Sequence, residues 1–231
     1  MKQLLIVRHA LPHEGHPTRP HDPPLHADGH RHALRLAHKL KHEGIDRIVS
    51  SPQQRALDTA EPLARMLGLR PEVFEGLAEI DRYTDRYRSV ETLRAQEPDR
   101  WDEFVASPIR FFGRDPETFC AGVIDAYRAI VEGPGGTRIA VFTHGMTTKT
   151  ILGVVLGQAQ PRYTQFSIAL GSVTRLSGKT LNGMRIDSLN ETLCGPQASG
   201  KAGARQRPSP RSDDAAALSG LPLPPLQETS Q

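Results

Sequence analysis

A single α/β domain, with a mostly parallel central sheet and helices on both of its faces, is the fold this sequence predicts, on three observations. Leu4-Leu5-Ile6-Val7 is an unbroken apolar run, as expected of a strand buried on both faces. Similar runs at Ile48-Val49 and Ile139-Ala140-Val141-Phe142 follow, separated by segments of helical period. Each run ends in polar chemistry: Arg8-His9 after the first, Ser50-Ser51-Pro52 leading to Arg55 after the second, Thr143-His144-Gly145 after the third. In open α/β sheets ligands bind outside the carboxyl ends of the strands, so these residues form the candidate site.

After the first strand, a loop rich in His and Pro leads to a helix expected from about residue 28 to 42, burying Ala33, Leu34, Ala37 and Leu40. The second strand hands over at Ser51, which reads as an N-cap, with Pro52 at the first helical position and Gln54 completing a capping box. Ala56, Ala60, Leu63 and Leu67 supply that helix's apolar stripe, and Gly68 stops it. Between about residues 75 and 113 the pattern turns irregular, with Tyr83, Tyr87, Trp101 and several arginines, and short helices in a small cap over one end of the sheet are expected. A helix from about 116 to 131 precedes the turn Gly133-Pro134-Gly135-Gly136, and another from about 146 to 156 follows His144-Gly145. Strands over 172–176 and 184–189 are expected to finish the sheet as antiparallel edge members.

The body therefore spans residues 1–194. From Gly195 onward Pro, Ser, Gly and Ala dominate, and a segment with so little apolar surface cannot offset its ordering entropy, so 195–231 reads as a disordered tail. Within it, Leu221-Pro222-Leu223-Pro224-Pro225 has the form of a polyproline ligand, although an untethered tail is the plainer reading.

The 231 residues, 37% hydrophobic and 24% charged, suffice for one sizeable core. The net charge of +3 comes partly from the tail, and no aromatic-interleaved basic stripe accompanies it, so no nucleic-acid partner is expected. The N-terminal apolar run stops at Arg8, too short for a signal-peptide core or a bilayer span, so a cytoplasmic protein without membrane contact is expected. Cys120 and Cys194 stand in unrelated contexts without metal-ligand spacing and read as reduced thiols. Nothing in the sequence specifies an oligomeric state.

Taken together and in this order, Arg8-His9 after a strand, Ser50-Ser51-Pro52 with Arg55 and Thr59-Ala60, Leu77-Ala78-Glu79, and Thr143-His144-Gly145 before a helix resemble the motifs of the histidine phosphatase superfamily, the phosphoglycerate mutase-like family. The resemblance covers most of the body. It implies a phosphoglycerate mutase-like fold and a metal-independent, cofactor-free phosphomonoesterase of the histidine acid phosphatase kind, acting on a small phosphorylated metabolite.

The residues themselves suit phosphoryl transfer, which asks a protein for positioning, positive charge around the equatorial oxygens and an in-line nucleophile. Arg8 and Arg55 present planar forks that match phosphate oxygens. His9 is the natural nucleophile, attacking through one ring nitrogen while the other is held by an acceptor. Arg55 in a first helical turn opposes the helix dipole unless an anion lies alongside, although a solvated Arg satisfies the sequence too. An ordinary strand-end ion pair is the corresponding alternative for Arg8. His144 read alone is a core or turn histidine before it is a ligand; the resemblance implies that it donates to the transferring phosphoryl group. Gly145 permits close backbone approach and adds candidate amide donors. The resemblance also implies that the leaving alkoxide takes its proton from Glu79, with Glu75 and Asp81 as neighbouring alternatives.

Three positions depart from the family pattern: Ala10 where glycine is usual, the loop Leu11-Pro12-His13-Glu14-Gly15-His16 in place of the usual hydroxyl and Asn, and Cys194 where a histidine often follows. His13 or His16 are candidate substitutes for the missing phosphate ligands. Nine of the ten histidines fall between His9 and His42, with His26 and His30, and His38 and His42, at helical spacing, but no His-Glu-x-x-His motif joins them and no metal site is expected. Two other functions compete: a phosphoglycerate mutase-type phosphomutase, and a catalytically silent scaffold that binds phosphorylated ligands. Near the cap, Arg82, Arg86, Arg88 and the two tyrosines read either as an anion-recognition group or as a solvated basic helix face.

Overall fold

The computed structural model describes residues 1–158 and 165–193. Strand β1 (Lys2–Arg8) leads through the His-rich loop to helix α1 (Ala27–Leu40), β2 (Arg47–Ser50) and α2 (Gln54–Leu67), and a two-residue strand β3 (Glu72–Val73) ends the first half. The cap follows as α3 (Val90–Gln96), α4 (Trp101–Ala106) and α5 (Pro108–Phe111), before α6 (Pro116–Glu132), β4 (Arg138–Thr143), α7 (Gly145–Val155), β5 (Val173–Gly178) and β6 (Arg185–Glu191). The strands form one sheet in the order β3-β2-β4-β1-β5-β6. The first four are mutually parallel, while β5 runs antiparallel to β1 and β6 antiparallel to β5.

Alternation along the strands sorts the core into two layers. Leu4, Ile6, Ile139 and Val141 point to the face covered by α6 and α7, where Tyr127, Ile130, Ile151 and Leu152 meet them. Leu5, Val7, Ala140 and Phe142 point to the face covered by α1 and α2, against Leu36, Leu40 and Leu63. Because the chain leaves β1 for β2 and later inserts β4 between them, α1 and α2 lie on one face and α6 and α7 on the other. The carboxyl ends of β1 and β4 thus form the switch point at which such sheets bind ligands.

Several details differ from the sequence expectations. Leu34 is 47% exposed and Leu36 takes its place in the core, so the stripe of α1 is rotated from the expected face. β5 is flanked on both sides, which leaves β6 as the edge at that end; β3 was not anticipated because two exposed residues carry no periodicity. Helix α2 starts two residues past the expected Pro52, with Gln53 as an N-cap whose side chain makes no capping bond to the helix. Its Gln54 amide is capped from the His-rich loop, by Asp22 Oδ1 at 2.8 Å, while Ser51 Oγ accepts only the Gln53 amide, at 3.2 Å. Residues 81–88 form turns rather than a helix, so no basic helix face exists there. Cys194, the tail 195–231 and its polyproline stretch lie outside the described residues. Among the described residues no helix is long and apolar enough to cross a membrane.

Candidate active site

Three adjacent strands deliver the polar residues to one end of the sheet. Arg8 closes β1 with His9 next, Ser51 follows β2, and His144 follows β4. The ladder continues past the strands, the His9 amide donating to the Thr143 carbonyl and the Ser51 amide to that of Phe142, each at 2.9 Å. Both imidazoles are thereby tied to the sheet. Their ring centroids stand 5.1 Å apart.

His9 is buried, with Nδ1 2.8 Å from the Ala10 carbonyl oxygen. A carbonyl only accepts, so Nδ1 carries the proton and Nε2 keeps its lone pair, onto which Arg55 Nε–H donates at 3.3 Å. Burial, then the charges of Arg55 and Arg8, hold this imidazole well below its ordinary pKa and keep it neutral. Ala10, whose backbone is not left-handed, replaces the usual glycine without strain, and its amide donates to Thr59 Oγ1 at 3.0 Å.

His144 is the N-cap residue of α7, completely buried, with Nε2 2.7 Å from Ser51 Oγ. Ser51 Oγ accepts the Gln53 amide and has no acceptor for its own hydrogen other than His144 Nε2 among the described residues, so that hydrogen is assigned to Nε2 and the His144 proton to Nδ1. That Nδ1–H has no partner. Burial first, then Arg55, His9 and Arg8, keep His144 neutral as well.

Neither arginine takes its plainer sequence reading. Arg55 is fully buried; its Nη2 donates to both oxygens of Asp81 at 2.8 and 3.0 Å, and its guanidinium lies 4.8 Å from the Tyr87 ring centroid. Arg8 forms no ion pair among the described residues and donates through Nη1 to the Ile168 carbonyl. Arg8 Nε and Arg55 Nη1 are buried without partners. With His144 Nδ1, whose ring stands beside that of His9, they are three buried unsatisfied donors, and such groups call for an acceptor.

Glu79 lies in the same cavity, its Oε2 accepting the Met146 amide of α7 and its Oε1 the Ile80 amide, each at 2.9 Å. Burial, reinforced by the Asp81 charge, raises its pKa from the ordinary value, outweighing those two hydrogen bonds and Arg55. The alternatives fare differently: Glu75 is 70% exposed near Arg82, and both oxygens of Asp81 are held by Arg55. The cavity measures 290 Å³, with Arg8, His9, Arg55, Glu79 and Gly145 at the sheet end and the cap helices at the other. A Cβ on Gly145 would stand 3.5 Å from Arg8 Nε, an ordinary contact. His144 does not itself line the cavity and stands against His9.

Several residues named from the sequence do not reach the site. His13 packs on His16 and His26 at 5.1 and 5.8 Å and none of the three lines the cavity, so neither His13 nor His16 replaces the missing phosphate ligands. Arg86 and Tyr83 are exposed, whereas Tyr87 and Arg88 do line the cavity, Arg88 bound to Glu97. Among the described residues no group of His, Cys, Asp or Glu is arranged to hold a metal ion.

The family model described as histidine phosphatase superfamily (branch 1) matches residues 4–192. The chain belongs to this superfamily. It is 28% identical over 141 residues to a probable phosphoglycerate mutase GpmB of Yersinia enterocolitica, spanning 59% of this chain and 65% of that relative. A GpmB of Cronobacter sakazakii is 27% identical over 178 residues, 74% of this chain and 81% of its own length. Among solved structures, the fold matches phosphoserine phosphatase from Entamoeba histolytica, with a TM-score of 0.64, 22% identity and coverage of 84% of this chain and 98% of that one. It also matches a mycobacterial glucosyl-3-phosphoglycerate phosphatase, with a TM-score of 0.65, 21% identity and coverage of 82% and 99%.

Within this superfamily fold, sequence reasoning missed the residues that orient the site rather than line it. Gln53 accepts the Glu79 amide at 2.7 Å and donates to Asp81 at 2.9 Å, joining the start of α2 to the carboxylate segment. Thr143 and Thr147 hydroxyls bind the Leu77 and Ala78 carbonyls at 2.8 and 3.2 Å, pinning that segment to β4 and α7. Lys149 lines the cavity one turn into α7; burial, then Arg8, lowers its pKa. No local pattern marks these partnerships. Asp81 alone was legible, as a neighbour of Glu79.

Proposed function

We propose that this protein is a metal-independent phosphatase that hydrolyses a small phosphomonoester through a phosphohistidine on His9. The observation that carries the reading is the fixed tautomer of His9, whose Nε2 lone pair faces Arg55 Nε–H, in a site where Arg8, Arg55 and His144 each keep a buried donor without a partner. Arg8, Arg55, His144 Nδ1–H and the backbone at Gly145 hold the phosphoryl oxygens. When substrate enters, Arg55 Nε–H transfers its bond from His9 to a phosphate oxygen, which frees the nucleophile.

His9 Nε2 then bonds to phosphorus as the ester P–O bond breaks, and the departing alkoxide takes the proton of the Glu79 carboxyl. Glu79, now a carboxylate, removes a proton from water. The resulting hydroxide displaces His9 from phosphorus, releasing inorganic phosphate and regenerating both groups. The raised pKa of Glu79 supports its starting as the acid. Neutral His9 is the competent nucleophile without prior loss of a proton.

His9→Ala is expected to abolish turnover of methyl phosphate while leaving the melting curve intact. Wild-type protein mixed with substrate and quenched in alkali should carry one phosphate on His9, located by mass spectrometry. Unchanged turnover in His9→Ala would refute the assignment. The GpmB relatives' printed names favour a second reading, a mutase that returns the phosphoryl group to its product. Interconversion of 3- and 2-phosphoglycerate without phosphate release would decide for it.

A further inference from the structure

We propose that the cap end of the cavity selects phosphomonoesters whose alcohol portion is apolar and about the size of one ring, and that Trp101, Phe104 and Val105 of α4 set this preference. The inference rests on the phosphatase reading above and names the substrate class of that same site.

The cavity has two chemically distinct ends. Opposite the phosphate-binding groups, its walls are Leu93 of α3, Trp101, Phe104 and Val105 of α4, and Phe112 just past α5. These rings brace one another. Trp101 and Phe104 lie 5.3 Å apart, and Phe104 meets Phe111 and Phe112 edge-on at 5.5 and 6.3 Å, favourable aromatic geometries that hold the wall in place.

Charge is distributed the other way. Of the cations lining the cavity, Arg8 and Arg55 belong to the phosphate end, and Lys149 feels both Arg8 and Glu79 there. Arg88, the remaining one, has its charge taken by Glu97 through Nη1, and its Nε is buried without a partner. Among the described residues, then, no unpaired cation lines the cap end to receive a carboxylate. A glycerate or polyol placed there would give up hydration to mostly apolar walls for few new hydrogen bonds, whereas an apolar ring gains about 25 cal/mol for each Å² removed from water. Size agrees. An apolar cavity of about 150 Å³ holds a benzene ring, so 290 Å³ accommodates one ring with a phosphate beside it.

The test compares kcat/KM for methyl phosphate, benzyl phosphate and glycerol 3-phosphate, whose alcohol leaving groups are of similar basicity. Benzyl phosphate should exceed glycerol 3-phosphate by about tenfold or more. Val105 is 40% exposed, so Val105→Lys brings a cation to the wall without emptying a packed position, and it should cut the benzyl advantage several-fold; Phe104→Ala should do the same by removing the wall. Equal rates for the two esters in wild type overturn the proposal, as does a benzyl advantage unmoved by Val105→Lys in protein that melts normally. Methyl phosphate separates the two levels of argument. If it is hydrolysed in a His9-dependent way without benzyl preference, only this inference falls; if none of the three esters is hydrolysed, the phosphatase reading falls with it.

Discussion

Asp81→Asn is the perturbation that most sharply tests the electrostatics of this site. Arg55 is completely buried and Asp81 nearly so, with side chains 0% and 5% exposed, and the carboxylate is the only anion bonded to that guanidinium among the described residues. Asparagine keeps the volume and one acceptor oxygen but removes the charge. Breaking a buried pair from one side costs about 3–5 kcal/mol, and the retained oxygen puts this case near 3. In a domain of this size each kcal/mol shifts Tm by about 2–4 °C, so a loss of about 6–12 °C is expected.

The same variant makes a second, opposite prediction. A phosphate bound beside Arg55 supplies the missing negative charge, and a ligand that binds only the folded state raises Tm by mass action. Calorimetric melts with and without inorganic phosphate should therefore show a larger phosphate-induced rise in Asp81→Asn than in wild type. A melting point within about 2 °C of wild type, with equal phosphate increments in both proteins, would refute the claim that Arg55 is shared between Asp81 and a phosphate.

Three further outcomes follow from the same geometry. Glu79→Gln should lower kcat/KM for alkyl phosphates by about 10²–10⁴-fold and for p-nitrophenyl phosphate far less, because the nitrophenolate leaves without a proton; equal losses would remove Glu79 as the acid. The pH profile for alkyl phosphates should lie on the acid side: activity falls as pH rises through the raised Glu79 pKa, while His9, lowered below 6.5, stays neutral and protonates only at the far acid end. The Glu79 contribution to folding has the same sign, full below its unfolded value and lost as pH rises through the folded one, so urea titrations across that window should show stability declining with pH. Gly29→Ala in α1 reverses the usual propensity gain of about 1 kcal/mol, since its Cβ would stand 2.1 Å from the Leu11 carbonyl oxygen. Overpacking there should cost about 1–3 kcal/mol, measurable as a lower urea midpoint, and a stabilised variant would contradict the packing of α1 on the loop after Ala10.

How much of this molecule could be read from its sequence depends on the range of the physics involved. The buried strands were legible because Leu4 to Val7 and Ile139 to Phe142 must be apolar on both faces, whatever the rest of the chain does. Arg8, His9, Arg55, Glu79 and Gly145 could be placed at one end of the sheet because strand ends and helix starts are local features, and they line one cavity. Bonds made across long separations leave no such trace, and Gln53 illustrates this: its amide ties Glu79 to Asp81 from 26 and 28 residues away. The error at Ser51 is of another kind. Ser51-Pro52 with Gln54 has the composition of a helix start, and by local rules the serine hydroxyl should have capped α2. Instead its oxygen turns the chain at Gln53, its hydrogen goes to His144, and Asp22 caps the helix from the loop. A hydroxyl has one hydrogen, and directing it to His144 Nε2 leaves the Nδ1 proton without a partner. Local consistency is given up at the residue whose hydrogen sets the tautomer of a site histidine, which is where such exceptions are expected.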